Sequence, residues 1–264
     1  IALLLPTFPP VRTFAKQCQL SHVIGYLREH DKGNVVPFNG LEKIYDSKLK
    51  GRDGVEYHMV DSRGIDQGKI DFENKNFIPI QGNDLLLSID VNLQSFCESL
   101  IQNHKGSMII SNPENGEILS MYSFPDFDLT SFAGPISHDE WKKLNNDVNS
   151  VFINRSIQST YPPGSIFKLI LSAIVLDKNI ITKDWKVNCK GDYQFFDTVF
   201  HCWKEDGHGI INLNQAIQQS CNIYYYNLIQ KIDFKLWSQE VKNFGFGKYT
   251  GIDLTSEKKG LVPN

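Results

Sequence analysis

The sequence predicts an α+β fold, with a small β-rich module ahead of a larger domain in which a short sheet leads into several helices. Three observations carry this. The texture changes near residue 83, being polar and broken by glycine before it and more regular after it. An Asn115-Gly116 pair joins two strand-like runs, a strong hairpin signal. Three later segments are apolar at helical spacing. The module is therefore expected over residues 1–82 and the domain over 83–264. With 264 residues, 41% of them hydrophobic, the chain can build one sizeable core or two modest ones. A net charge of −3 from mixed acids and bases forms no basic stripe, so no nucleic acid partner is expected, and a membrane-surface role gains no support. The opening "IALLLP" is too short to cross a bilayer, which takes about 20 apolar residues. Because the chain starts at Ile1 and not at Met, any signal or anchor is expected upstream.

From Gln19 to Asn76, short alternating runs such as "VEYHMV" read as hairpins and loops beside a short helix. "NDLLLSIDVNLQSFCESLIQ" reads as a strand feeding a helix, with Asp90 or Asn92 available as its cap. "SMIISNPENGEILSMYS" gives the hairpin. Beyond a loop rich in Pro, Phe and Asp, "SIFKLILSAIVL", "LNQAIQQSCNIYYYNLI" and "LWSQEVKNF" are the helices.

The stretch "YPPGSIFKLI" holds Ser165 and Lys168, three residues apart at a helix start. That spacing puts both side chains on one face, where an amine can take the hydroxyl proton. The same spacing occurs at Ser47/Lys50 and Ser256/Lys259 among charged neighbours, and a serine in this position also serves as a helix cap. Context separates the three pairs. Pro162, Pro163 and Gly164 force a tight turn, and the apolar helix that follows desolvates Lys168. Burial disfavours an ammonium and lowers its pKa, as a general base requires. The backbone N–H of Ser165, at the helix N-terminus, is available to a developing oxyanion.

Ser220-x-Asn222 is a second polar constellation, which alone reads as a structural patch at a helix start or loop. In combination, Ser-x-x-Lys followed by Ser-x-Asn is the order used by serine acyl-transferases that bind penicillin. Between them, Cys189, Cys202, His208 and Cys221 follow a C-x12-C-x5-H-x12-C spacing. Three thiolates and one imidazole make a common structural zinc set. A Cys189–Cys202 disulfide and separately buried thiols fit the same spacing. Cys18 and Cys97 read as partly buried small apolar residues, and His58 and His104 as surface or satisfied histidines. "YYY" at 224–226 with Phe244 and Phe246 reads as core or groove lining, and Asp126 and Asp128 as loop-shaping.

"INRSIQSTYPPGSIFKLI", "GHGIINLNQAIQQSCN" and "FGFGKYTGIDL" resemble the transpeptidase domain of the penicillin-binding protein 2 family, the class B enzymes of bacterial cell elongation. "LSHVIGYL", "GLEKIYDSKLKGRDG" and "VDSRG" resemble the membrane-proximal pedestal of that family, so the likeness covers nearly the whole chain. The resemblance implies a peptidoglycan D,D-transpeptidase. Ser165 is then the acylated nucleophile, Lys168 its base, Ser220 the proton relay to the leaving amine, and Asn222 the holder of Lys168 and of the substrate amide. The substrates implied are D-Ala-D-Ala stem peptides, and β-lactams would trap the same serine.

The resemblance also implies a structural zinc on Cys189, Cys202, His208 and Cys221, where some relatives carry aspartates at the first two positions. His201 is the likeliest impostor ligand. Implied partners are a RodA-type glycosyltransferase and MreC, at the periplasmic face of the inner membrane. The family's third motif, Lys-Thr-Gly or Lys-Ser-Gly, does not occur; "KYTG" at 248–251 has an extra residue. The motif is expected beyond residue 264, so that residues 1–264 alone are expected to leave Ser165 unlabelled by penicillin. A catalytically silent scaffold for elongation partners and a β-lactam hydrolase or sensor are the competing readings.

Overall fold

Short runs of β-branched and aromatic residues in the first part of the chain pair locally instead of building one broad sheet. The computed structural model describes residues 2–4, 18–31, 34–70, 77–134 and 136–263. The fold is α+β and packs as two units, Ile1–Ser159 with Ile252–Glu257, and Thr160–Gly251 with Lys258–Asn264. The change of texture near residue 83 falls inside the first unit. The opening "IALLLP" lies outside the described residues apart from its central strand, as does the end of the polar stretch at 71–76. Among the described residues, no helix is long and apolar enough to cross a membrane.

The first unit begins with β1 (Ala2–Leu4), α1 (Ser21–Ile24), β2 (Leu27–Asp31) and β3 (Asn34–Pro37). The short helices α2 (Gly40–Ile44) and α3 (Asp46–Leu49) follow, then β4 (Tyr57–Val60) and β5 (Asp66–Lys69). Strands β1, β4 and β5 form one antiparallel sheet, and β2 and β3 pair as a hairpin. The β4–β5 turn is closed by Asp61, whose carboxylate accepts from the backbone N–H groups of Arg63 and Ile65. His58 is satisfied between Glu56 and Asp66, as expected.

The strand expected at the start of "NDLLLSID" does not form. Leu85 and Leu87 pack into a cluster with Val23, Leu41, Met121 and Leu254, whereas Leu86 is 98% exposed. The side chains thus alternate as in a strand, but no neighbouring strand among the described residues supplies a ladder, and single bonds such as Asp90 N–H to Leu119 C=O take its place. Asp90 then caps α4 (Val91–Ile101) by accepting from the Leu93 N–H at 2.9 Å.

Strands β6 (Gly106–Ser111) and β7 (Ile118–Phe124) form the expected hairpin, with Gly116 at φ 79° in its turn. Helix α4 is fastened to β7 by Gln94, which is fully buried. Its amide oxygen accepts from the Ser120 hydroxyl and the Met121 N–H, and its nitrogen donates to the carbonyls of Met121 and Gln19 and to Glu98. Asp128 caps a 3₁₀ turn over Leu129–Phe132, and Asp126 accepts from the Ser21 hydroxyl, so both aspartates shape this loop. The turn packs Phe127, Phe132 and Phe152 around Tyr26. Helix α5 (His138–Asn145), capped by Ser137, lays Trp141 against the same cluster.

The second unit holds α6 (Phe167–Asp177), β8 (Val187–Cys189), β9 (Asp192–Phe195), β10 (Thr198–His201) and β11 (Gly209–Ile211). Helices α7 (Leu213–Gln218), α8 (Asn222–Ile229) and α9 (Phe234–Asn243) complete it. β8 pairs with β11 and β9 with β10, both antiparallel. The core is Leu171, Ile174 and Val175 of α6 against Leu213, Ala216, Ile223, Tyr224, Leu228 and Val241. The single helix expected over 213–229 is two. A capping box of Asn212 and Gln215 starts α7, and the chain breaks at Ser220, whose φ is 48°. Apolar periodicity runs through the break because both helices face one core, which hides the interruption from the pattern.

Replacing Gln94 by Ala leaves several buried partners unpaired at once. The expected loss is about 2–3 kcal/mol of stability, read from urea denaturation. A midpoint equal to that of the unsubstituted protein would show the network to be idle.

Candidate active site

Ser165 sits in a 3₁₀ turn (Gly164–Ile166) that runs directly into α6. Pro163 is in the helical region and Gly164 at φ 60°, where an L side chain is strained. Nothing surrounds a side chain added at Gly164, so the backbone angle alone requires glycine there. The turn leaves Ser165 exposed, and its hydroxyl caps neither the turn nor α6. The capping alternative for this serine is therefore not realised. The hydroxyl also makes no hydrogen bond to another described residue. By contrast Ser47, Lys50, Ser256 and Lys259 all lie exposed in the first unit or on the chain's surface segments.

Lys168, one turn on, is half-buried, and its ammonium group reaches the second motif. Nζ donates to the Ser220 carbonyl at 2.8 Å, the Ser220 hydroxyl at 3.1 Å and the Asn222 side-chain oxygen at 2.8 Å. An ammonium has three donors, and here all three are used. The left-handed backbone of Ser220 is what turns its carbonyl and its hydroxyl toward one nitrogen, a strained conformation of the kind that clusters at functional sites. Asn222 is itself held by donating its amide to the His201 carbonyl at 3.3 Å, which orients its oxygen toward the lysine. Burial lowers the Lys168 pKa, opposed by any negative charge on Cys221 and Cys202.

Cys189, Cys202, His208 and Cys221 converge, with their ligand atoms all within 4.8 Å of one another. Each cysteine is a free thiol, and Cys189 and Cys202 are not crosslinked. His208 Nδ1 lies 3.6 Å from Cys189 Sγ and 3.5 Å from Cys202 Sγ, and Cys202 and Cys221 are 4.0 Å apart. A tetrahedral zinc with sulfurs at about 2.3 Å and one nitrogen at about 2.0 Å has ligand edges of roughly 3.5–3.8 Å. The two nitrogen–sulfur distances match these edges, the sulfurs stand slightly wider, and the donor set of three thiols and one imidazole is one that suits zinc. His201, the candidate impostor, is exposed at the end of β10 and is not in the group.

The loops carrying these residues are clasped by glycines. A side-chain carbon at Gly191 would meet the Glu205 carbonyl at 1.8 Å, and one at Gly207 the Cys189 carbonyl at 2.1 Å. Burial raises the Cys202 pKa, yet the backbone N–H groups of Lys204, Asn222 and Ile223 aimed at its sulfur more than offset this, and the net shift is downward. Cys221 is pushed up to about 12, by burial first and by the neighbouring thiols as well. Three thiols this close cannot all ionise unless a cation sits among them.

Two contacts at this site had no signal in the sequence pattern. The His201 carbonyl is a backbone group and leaves no trace in residue type. Tyr225 sits in an apolar run whose three tyrosines look alike, but its ring lies over Lys168 Nζ at 5.4 Å. Phe246 lines the same helix from outside by packing on Phe167, and Phe244 is exposed.

The description Penicillin binding protein transpeptidase domain matches residues 106–264, and Penicillin-binding Protein dimerisation domain matches residues 7–87. The peptidoglycan D,D-transpeptidase MrdA of Acinetobacter baumannii is 33% identical over 261 residues, which is 92% of this chain and 38% of that relative. A complex between penicillin-binding protein 2 and MreC from Helicobacter pylori is similar with a TM-score of 0.80 and 31% identity, over 93% of this chain and 48% of that one. A structure of a peptidoglycan synthase complex, described as coordinating polymerization and crosslinking, gives a TM-score of 0.82 at 26% identity, over 95% and 48%. The chain thus spans less than half the length of these relatives.

Strain at Ser220 is separable from its chemistry. Glycine tolerates a left-handed backbone and alanine does not, so Ser220→Gly is expected to be more stable than Ser220→Ala by about 1 kcal/mol in thermal denaturation. Equal stabilities would contradict strain at this position.

Proposed function

The chain belongs to the penicillin-binding protein transpeptidase family, and we propose that its second unit carries the nucleophile and base of a serine D,D-transpeptidase that cross-links peptidoglycan. One observation carries the reading: Lys168 bonds both residues of a Ser-x-Asn motif more than fifty positions away while standing one turn from an unpartnered, exposed serine. A helix cap or a surface lysine needs none of these contacts.

In this reading Ser165 Oγ attacks the carbonyl between the two terminal D-alanines of a stem peptide and passes its proton to neutral Lys168. A neutral amine has two donors and a lone pair. The donors stay on the Ser220 carbonyl and the Asn222 oxygen, and the lone pair faces hydroxyl protons. The proton then moves from Lys168 to Ser220 Oγ, 3.1 Å away, whose own proton goes to the leaving amine of the last D-alanine. The acyl-enzyme next reacts with an amine of a neighbouring strand, so one amide is exchanged in two easier steps. β-Lactams acylate the same serine. The Ser165 N–H, among the first of the helical run, has no acceptor within it and is available to the oxyanion.

Cys189, Cys202, His208 and Cys221 would hold a zinc ion whose contribution is structural. Because Cys221 lies between Ser220 and Asn222, fixing its sulfur fixes both neighbours at the distances Lys168 needs. Residues 1–82 act as a pedestal, read from the dimerisation-domain match. MreC and a glycosyltransferase of the RodA type are its partners, supported by the likeness to the two complexes, and the site works at the periplasmic face of the inner membrane.

Three outcomes follow. In a chain that also carries a Lys-Thr-Gly or Lys-Ser-Gly strand, fluorescent penicillin labels Ser165; Ser165→Ala abolishes labelling and Lys168→Ala slows it by about 10²-fold or more. Labelling that survives Ser165→Ala sinks the assignment. Because burial lowers the Lys168 pKa, the amine is neutral at lower pH than an exposed lysine, and the labelling rate rises with pH through that value. A rate flat from pH 5 to pH 10 would remove the lysine as base. Elemental analysis finds about one zinc per chain, and Cys221→Ser loses both metal and thermal stability. A metal-free protein with a Cys189–Cys202 crosslink would contradict the zinc.

A further inference from the structure

We infer that Tyr225 is a positioning residue for Lys168, anchored by the Ser172 hydroxyl, an inference that rests on the function proposed above. Both residues are buried and neither belongs to the Ser-x-x-Lys or Ser-x-Asn motifs. Ser172 Oγ lies 2.7 Å from the Lys168 carbonyl and 2.7 Å from the Tyr225 hydroxyl. A carbonyl only accepts, so the single proton of Ser172 goes to Lys168, and the tyrosine must donate to Ser172. The phenol is thereby tied to the backbone of the very residue whose side chain its ring faces.

With its far end fixed, the Tyr225 ring lies 5.4 Å from Nζ, inside the roughly 6 Å range of a cation–π contact. Nζ is therefore contacted by three oxygens and one aromatic face. A lysine loses about 2 kcal/mol of rotamer freedom when fixed. The oxygens hold only its tip, whereas the ring also closes space that water or another rotamer would fill. Tyr224 and Tyr226 do not share this role. The first donates to the Trp185 carbonyl, and the second packs on Tyr193 and Phe200 of the β9–β10 hairpin. Only the middle tyrosine of the run reaches the lysine, and only it has a partner on α6 that sets the direction of its ring.

The test separates noncovalent binding of a fluorescent penicillin from the acylation rate constant in a chain that also carries a Lys-Thr-Gly or Lys-Ser-Gly strand, comparing the unsubstituted protein with Tyr225→Phe and Tyr225→Leu. Tyr225→Leu is expected to lower the acylation rate constant about tenfold while leaving the binding constant unchanged. Tyr225→Phe keeps the ring and recovers most of that loss. In the same proteins the ε-protons of Lys168, placed near a ring face, are expected upfield of the other lysines by NMR and to return toward them in Tyr225→Leu. Unsubstituted protein that is not acylated would defeat the proposed function alone, and the ε-proton shift then judges Tyr225. The inference is overturned by ε-protons of Lys168 that do not move in Tyr225→Leu. It is equally overturned by an acylation rate constant unchanged in Tyr225→Leu, or by equal losses in both variants alongside a lower melting temperature.

Discussion

The structure of the second unit depends on where one amine is held. Lys168 leaves α6 and ends among three oxygens supplied by the break between α7 and α8. A surface lysine gains little from such contacts, because water competes for every donor. Here the helix behind the lysine is apolar and packed, so Nζ is partly cut off from water and its protonation answers to those oxygens and to the neighbouring thiols. The same arrangement leaves the Ser165 hydroxyl unpartnered. An exposed serine beside an amine occupied elsewhere is a resting state, and hydrogen bonds of this kind commonly tighten only when substrate arrives.

Holding the amine there requires the α7–α8 break to stay strained. Ser220 has a left-handed backbone without being glycine, and several contacts keep it so. Trp203 donates its ring N–H to the Gln219 carbonyl at 2.8 Å, just before the break. Cys221 follows it, fully buried with its N–H on the Ala216 carbonyl. Cys202 receives N–H groups from the first turn of α8, which satisfies helix-end donors that would otherwise be orphaned. The cysteine and histidine group and the lysine site therefore share one short piece of backbone. Disturbing the thiols should be felt at Lys168 without any change in the lysine's own helix.

Much of this was legible from residue type and spacing, because the signals were local. Asp90 caps a helix where a cap is expected, Asn115-Gly116 turns a hairpin, and Pro-Pro-Gly makes the turn before Ser165. The four cysteine and histidine positions were legible because soft ligands are rare enough in this chain for their spacing to carry information. What failed depended on partners distant in sequence. "LLL" at 85–87 alternates like a strand, yet no neighbour among the described residues offers a ladder. The run 213–229 keeps helical period across its break because both halves bury residues in one core. Tyr225 could not be told from Tyr224 by any local rule, since the difference between them is the partner each one meets, Ser172 of α6 for Tyr225 and the Trp185 carbonyl for Tyr224.

Burial around Lys168 disfavours its ammonium form and lowers its pKa, and the protonation of that one group tests its role as the base most directly. In protein labelled with ¹³C-lysine, the Cε resonance of Lys168, assigned with Lys168→Arg, should titrate below the exposed lysines. If it titrates together with them, the amine remains a charged tether across the α7–α8 break, and a proton cannot leave Ser165 for it.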